Sequence, residues 1–408
     1  MHSARRAIIL FSSLLLTLTL LSTAQSSSIA YPQARRGDQV DDYHGTKLAD
    51  PYRWLEDTDS AETHAWVEAE NKLTFGYLDQ LPHRQAIHDR LTKLWNYERF
   101  TVPSQHGGRY FFQHNNGLQN QNVLFVAESL NAEPRVLLDP NTLSTDGTVA
   151  LAGDAVSDDG KLMAYGLATS GSDWTEWHVR DVGSGKDLTD DLKWVKFSGA
   201  SWTKDNQGFY YSRYDEPTGA AMRDTNYFQK LYYHRLGTAQ SEDKLIYERP
   251  DNKEMLFGAD VTDDGHYLII TVDQGTSPKN RLYYKDLTQP DSPVVRLLDD
   301  FEAKYVFLDN DGPVFWFRTD LDASRGRVLA IDTRHPERTN WKTVVPQSAD
   351  KLEFAHVVDN SFLLGYLKDA RTEVRVYNLS GTFLRNVDLP GIGTAGGFGG
   401  KRKDKETF

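Results

Sequence analysis

The rhythm of hydrophobic positions changes once along this chain, near residue 98. Before it, the stretch "DSAETHAWVEAENKLTFGYL" opens on Asp59 and Ser60, both helix N-cap residue types, and is rich in Ala and Glu, which predicts a helix. In the next segment Ile87, Leu91, Leu94 and Trp95 recur at i, i+4, i+7 and i+8, the apolar stripe of a second helix. His83 and His88 lie five residues apart and so off a common helix face, and they read as solvated surface histidines rather than a metal pair.

From Phe100 onward a short turn with Asp, Asn or Gly is followed repeatedly by a β-branched or aromatic run. The pattern appears as "GGRYFFQH" at Gly108, "SDDGKLMAYGL" at Gly160, "TKDNQGFYYSR" at Gly208, "TDDGHYLIITV" at Gly265, "DNDGPVFWFR" at Gly312 and "VDNSFLLGYL" at Ser361. These anchors stand 47 to 57 residues apart, and each is followed by a second pair of strand-like runs around another turn. A period near 50 with about four strands per unit predicts a β-propeller. Counting the closing "KRKDKETF" as the start of a further unit makes seven blades, the seventh incomplete, preceded by a short helical segment. The Asp-Asp-Gly turns lack a 12-residue calcium loop and read as hairpin turns. "VGSGKD" at 182–187 reads as a turn, and the G-x-G-x-x-G of Gly391, Gly393 and Gly396, with no helical pattern after it, reads as loop rather than a phosphate cradle.

Composition agrees with this division. A chain of 408 residues is long for one ordinary domain and fits a large repeat architecture. Aromatic content of 12%, with 20 Tyr and 19 Phe, leans towards strands. Net charge is -12 and no extended Lys/Arg patch occurs, which argues against a nucleic-acid partner. The N-terminus has a basic start (Arg5, Arg6), an apolar run from Ala7 to Leu21 and a small-residue site at Ser22–Ala24, the layout of a secretory signal peptide cut after Ala24. The expected protein is therefore periplasmic or secreted, with no membrane association after cleavage. There is no Cys, so the fold holds by its own core.

The chemistry of covalent catalysis is missing from the sequence. No G-x-S-x-G occurs, Cys is absent, no H-E-x-x-H occurs, and no His/Asp/Glu cluster has zinc spacing. No catalytic residue, metal site or cofactor is expected from these residues.

The segment Tyr31–Thr74, "YPQARRGDQVDDYHGTKLADPYRWLEDTDSAETHAWVEAENKLT", closely resembles the N-terminal segment of the prolyl oligopeptidase family of serine peptidases. The likeness continues through "GLQNQNVLFV", "YGLATSGSDW", "VKFSGASW", "KLYYHRLGT" and "LPGIGTAGGFGGKRKD", over essentially the whole chain after the leader. The resemblance implies three parts: a signal peptide at 1–24, an N-terminal helical segment at 25–97 that packs on an α/β-hydrolase domain, and a propeller at 98–408 cut in blade seven. It implies an endopeptidase cleaving short proline-containing peptides, monomeric, whose Ser, Asp and His lie in the hydrolase domain beyond this sequence. The 408 residues are then the front and the gate of that enzyme and inactive alone. The alternative reading is a secreted propeller acting by itself as a binding module. The resemblance also implies substrate-pocket roles for four residues. Asp173 in "SGSDW" matches the acid that pairs with an Arg of the hydrolase domain. Phe197 in "VKFS", Met255 in "NKEMLF" and Thr276 in "DQGTSP" match positions lining an apolar subsite distant from the proline. Read from the residues alone, Asp173 also suits a turn-capping acid and Phe197 a blade core.

Overall fold

The computed structural model describes residues 29–218, 225–405 and 407. The expected leader, residues 1–24, lies outside them. The described residues form two compact units that divide between Leu91 and Thr92.

The first unit begins with a hairpin, Val40–Tyr43 paired with Thr46–Ala49. Its two turn residues, His44 and Gly45, both have positive φ (53° and 91°), the two-residue turn whose twist matches that of paired strands. Asp41 and Asp50 both bind the Arg53 guanidinium, at 2.7 Å for Asp50, which ties the hairpin to the turn of 3-10 helix at Arg53–Glu56. Helix α1 (Ala61–Leu78) starts where the sequence predicts: the Ser60 hydroxyl accepts the Thr63 N–H at 3.2 Å. Helix α2 (Arg84–Trp95) follows after Pro82. Its stripe forms, yet Ile87, Leu91, Leu94 and Trp95 are all about half exposed and α2 buries no residue. Helix α1 buries only Thr63. His83 and His88 are exposed.

Among the described residues the second unit holds one eight-stranded, one five-stranded and three four-stranded antiparallel sheets; the eight-stranded one joins two sets of four through Val195 and Arg213, and the sets are here numbered as blades. Blade 1 is Ser104–His106, Arg109–Asn115, Val123–Ala127 and Arg135–Leu138, with Arg99–Phe100 added beside its second strand. Blade 2 is Val149–Val156, Leu162–Thr169, Thr175–Asp181 and Lys186–Val195. Blade 3 is Ser201–Trp202, Gly208–Arg213, Lys230–Arg235 and Lys244–Tyr247. Blade 4 is Met255–Val261, Tyr267–Gln274, Asn280–Asp286 and Val294–Leu298. Blade 5 is Tyr305–Asp311, Val314–Thr319, Arg327–Asp332 and Lys342–Val345. Blade 6 is Lys351–Val358, Ser361–Lys368, Arg371–Asn378 and Phe383–Asn386.

Each blade packs its faces on its neighbours in chain order, which explains why the strands read as unbroken apolar runs. In "VFWF" of blade 5, Phe315 and Phe317 join Ile269 and Leu282 of blade 4, while Trp316 points the other way and meets Phe362 of blade 6. A strand sends alternate side chains to opposite faces, and both faces are core. The Asp-Asp-Gly segments are hairpin turns between first and second strands. Gly160 is required at its turn by its backbone (φ 68°) and by space, because a Cβ there would stand 2.4 Å from the His106 carbonyl oxygen.

One polar cluster crosses the core between blades 2 and 3. The His234 ring lies between Asp243 (Nδ1 to Oδ1, 2.7 Å) and Asp190 (Nε2 to Oδ1, 3.0 Å), all three side chains out of solvent. Asp190 also accepts the Gly237 N–H at 2.6 Å, and Tyr211 donates its hydroxyl to Asp243. Burial disfavours the charged imidazole, but the two carboxylates prevail and push its pKa up to about 9.

After Asn386 no strand or helix forms among the described residues. The glycines Gly391, Gly393 and Gly396 lie in loop, as the sequence indicates. The expected opening of a seventh blade at Lys401 is a turn: Lys401 N–H donates to Asp404 Oδ2 at 2.7 Å and Asp404 N–H to Lys401 O at 2.9 Å.

Candidate functional site

Antiparallel meanders give the ring two unlike ends. In every blade the turns joining strands one to two and three to four fall at one end. The turns joining strands two to three, and the crossing to the next blade, fall at the other.

The first end is crossed by charged contacts. Lys204 of blade 3 and Lys401 of the terminal segment both donate to Asp158 of blade 2, Lys204 at 2.7 Å. Arg402 donates to the Asn310 carbonyl of blade 5 (3.0 Å) and to Asn360 of blade 6 (2.9 Å), and Asn310 donates to Asp264 of blade 4 (2.7 Å). Five blades and the terminal segment therefore share one polar chain. Burial opposes the Asp158 charge, but the two ammonium groups outweigh it and hold its pKa down at about 2. Behind these residues the first strands enclose a cavity of about 340 Å³ reaching from His106 past Asp154 and Ser201 to Asp263. Asp154 and Asp260 are exposed, and desolvation by the protein around them raises both carboxyls. Asp309 is more deeply placed, 7% exposed, with Oδ2 unpartnered. Burial, reinforced by Asp263 and Asp264, pushes its pKa up to about 6 although its Oδ1 accepts the Asn310 N–H.

The second end is aromatic among the described residues, and it holds the four residues singled out from sequence. Asp173 lies in the turn between the second and third strands of blade 2, its side chain 65% exposed, with its carboxylate 3.8 Å from the Lys196 ammonium. Phe197, on the crossing from blade 2 to blade 3, is 61% exposed and so is no part of the blade core. Lys196 sits 5.3 Å from both the Phe197 and Trp174 ring centroids and donates to Asn226 at 3.0 Å. The structure thus joins Asp173 and Phe197 through one lysine. Met255 and Thr276 share an end of blade 4, since Met255 pairs with Gln274. Thr276 is exposed, whereas Met255 is 2% exposed and packs between blades 3 and 4 with Tyr210 and Leu231.

The structure adds residues that sequence reasoning passed over. Trp174 packs edge-on against Trp194 and Tyr214, each at 5.9 Å. Phe228, 45% exposed, donates its N–H to the Lys253 carbonyl at 2.8 Å, and the Lys253 ammonium lies 4.0 Å from the Tyr227 ring. Trp194, Phe197 and Phe228 all hold positive φ (61°, 56° and 61°), a strained conformation for bulky side chains that the surrounding structure must impose. Three such aromatics at one end of the ring mark it as the end built to present side chains. No spacing in the sequence carries that signal, because φ is decided by the loops between blades.

A polar end, an aromatic end and successive four-stranded antiparallel blades define a protein of the β-propeller class. Residues 32–408 match the family described as prolyl oligopeptidase, N-terminal beta-propeller domain. The chain belongs to that family. It is 36% identical to the prolyl endopeptidase of Elizabethkingia meningoseptica over 389 residues, covering 95% of this chain and 54% of that protein. It is 32% identical to prolyl oligopeptidase A of Amanita bisporigera, covering 92% of this chain and 54% of the relative. Among solved structures, one from a structural and mechanistic study of two prolyl endopeptidases superposes with TM-score 0.69 at 38% identity, covering 91% of this chain and 54% of that chain. Prolyl oligopeptidase B from Galerina marginata, bound to a 25-mer macrocyclization substrate, gives TM-score 0.82 at 28% identity over 92% of this chain and 56% of its own. The chain spans about half the length of the curated relatives it matches.

Proposed function

We propose that these 408 residues are the gating and docking half of a serine-type prolyl endopeptidase acting on short peptides, with the hydrolytic step in the half of the relatives that they do not cover. The observation that carries this reading is the polarity of the ring. One end is crossed by the contacts of Asp158, Lys204, Lys401 and Arg402, while the other presents Asp173, Phe197, Tyr227 and Phe228 to solvent. A hydrolase half seated on the aromatic end would have its cleft roofed by the blades. Folded proteins would be kept out, short peptides admitted, and water limited around the chemistry. Asp173 then supplies the carboxylate for a guanidinium across the interface, and the exposed aromatics supply apolar subsites. The unburied stripe of α2 and the outer face of α1 are the second docking surface for that half.

We further infer export, from Arg5 and Arg6, the apolar run Ala7–Leu21 and Ser22–Ala24. N-terminal sequencing of the mature chain should then begin at Gln25.

The test of the main reading is a fusion of residues 25–408 to the C-terminal half of the Elizabethkingia meningoseptica enzyme. The fusion is expected to cleave proline-containing peptides and to spare folded proteins, and Phe197→Ala is expected to raise KM with kcat little changed. Residues 25–408 alone are expected to give no turnover. Hydrolysis by the unfused chain, abolished by a serine-directed acylating reagent, overturns the reading. So does cleavage by the fusion that leaves KM indifferent to Phe197.

A further inference from the structure

On the face of blade 2 turned towards blade 1, three side chains that the sequence keeps apart come together. Glu176 and His178 are two residues apart in the third strand and so project to the same side. Asp191 stands directly opposite His178 on the fourth strand. One possible ligand atom from each of the three lies within 4.8 Å of the other two, and no other trio of His, Asp and Glu among the described residues is gathered in this way. We propose that Glu176, His178 and Asp191 form a binding site for a divalent transition metal of the zinc class.

The donor set selects the metal. One imidazole with two carboxylates is a three-ligand protein set that leaves a coordination position open, and imidazole suits zinc, copper and nickel better than magnesium or calcium. Two carboxylates with a neutral imidazole carry a charge of about -2, which a divalent cation offsets. Ligands about 2.0–2.1 Å from a tetrahedral zinc stand about 3.3 Å apart. The His178 Nδ1 and Asp191 Oδ1 are 4.0 Å apart, too far for a hydrogen bond and within a small side-chain rotation of that spacing.

The surroundings agree. His178 is held on one side by the Tyr165 ring at 5.5 Å, with its side chain 26% exposed. Arg180, next on the same face, is spent on Asp187 at 2.7 and 2.9 Å and on the Tyr165 ring, so it leaves the trio its negative charge. The competing cation is Lys193, 3.9 Å from Asp191 and half exposed, which can swing into solvent when a metal enters. Glu176 and His178 also form part of the wall of a cavity of about 630 Å³ lined by Leu167, Trp174 and Trp194. The open coordination position therefore faces a partly apolar space large enough for a small ligand. A metal bound there would pin the third strand of blade 2 to its fourth, two residues from Trp174.

Titration calorimetry of the chain with zinc chloride is the test. One equivalent is expected to bind, with magnesium and calcium chlorides giving no comparable heat. His178→Ala should weaken zinc binding by at least about tenfold. Because His178 packs on Tyr165, a double variant at the two exposed carboxylates, Glu176→Gln with Asp191→Asn, is the second probe and should lose the site with its circular dichroism unchanged. His335→Ala, in an exposed loop, should keep full affinity. Absence of zinc binding, or zinc binding undiminished in the double carboxylate variant, overturns the proposal.

Discussion

The helices of residues 61–95 and the blades of residues 104–386 come from one chain with similar supplies of apolar residues, and they use them in opposite ways. In α2 the stripe Ile87, Leu91, Leu94 and Trp95 is about half exposed throughout and nothing is buried. In blade 5 the adjacent Phe315 and Phe317 are each fully buried on one face, and Trp316 is 5% exposed on the other. An amphipathic helix gains most of its stability from what its apolar face meets, whereas a blade meets its neighbours within the same unit. The blades thus carry their own stability, and the helix stripe carries a demand for a surface.

The largest effects are expected where the blades are fullest. Phe317→Ala should cost about 3–5 kcal/mol, read as a fall in the urea midpoint, because it opens a void between blades 4 and 5. A loss below 1 kcal/mol would show that the blades are not packed as described. His234→Ala should cost a similar amount, about 3–5 kcal/mol, since it leaves Asp190 and Asp243 buried without their cation. Its pH dependence has a definite sign. The folded His234 pKa, about 9, lies above the ordinary 6.5, so its contribution is fully present below pH 6.5 and fades as pH rises through 9. Thermal scans from pH 6 to 9.5 should show this slope in the unsubstituted protein and lose it in the variant.

Asp309→Asn is expected to act the other way and stabilise. Its folded pKa of about 6 exceeds the ordinary 3.8, so the carboxyl penalises the folded state increasingly from about pH 4 to pH 6 and fully above that. The substitution should raise stability by roughly 3 kcal/mol at pH 8 and by little at pH 4. Equal effects at both pH values would place the Asp309 carboxylate in solvent. Ser60→Ala should cost about 1 kcal/mol through the lost cap of α1. Smallest of all, Ile87→Ser should leave the melting of the chain within about 0.5 kcal/mol of its starting value. The same change should weaken association with a hydrolase half. A large loss in the chain alone would mean that the stripe is already buried, and the contrast between the two regions would collapse.

Much of the fold was legible residue by residue. Ser60 as cap, the α2 stripe, the 50-residue repeat and the Asp-Asp-Gly turns all depend on local backbone preferences and short periodicities, which a linear reading contains. Long-range ties were less accessible. In "KRKDKETF" the turn of Lys401 with Asp404 is local, but the reach of Lys401 to Asp158, 243 residues away, is not. At the aromatic end, Asp173 and Phe197 were singled out through likeness to a family, while Lys196, Trp174 and Phe228 gave no sign in the sequence, because their arrangement is made by loops from two blades and by backbone strain.

The sequence by itself determined that this chain would hold two helices followed along the chain by a series of β-blades, because hydrophobic period, turn residues and caps act over a few positions. Only the tertiary structure decided which charges would meet. His234 lies 44 residues from Asp190, and Asp158 is brought to Lys204 from 46 residues away. Closer in sequence, Asp191 faces His178 across a ladder with register shifts that spacing does not reveal. Charge interactions depend on distance in space and on exclusion of water, and both are properties of the folded chain rather than of any segment in it.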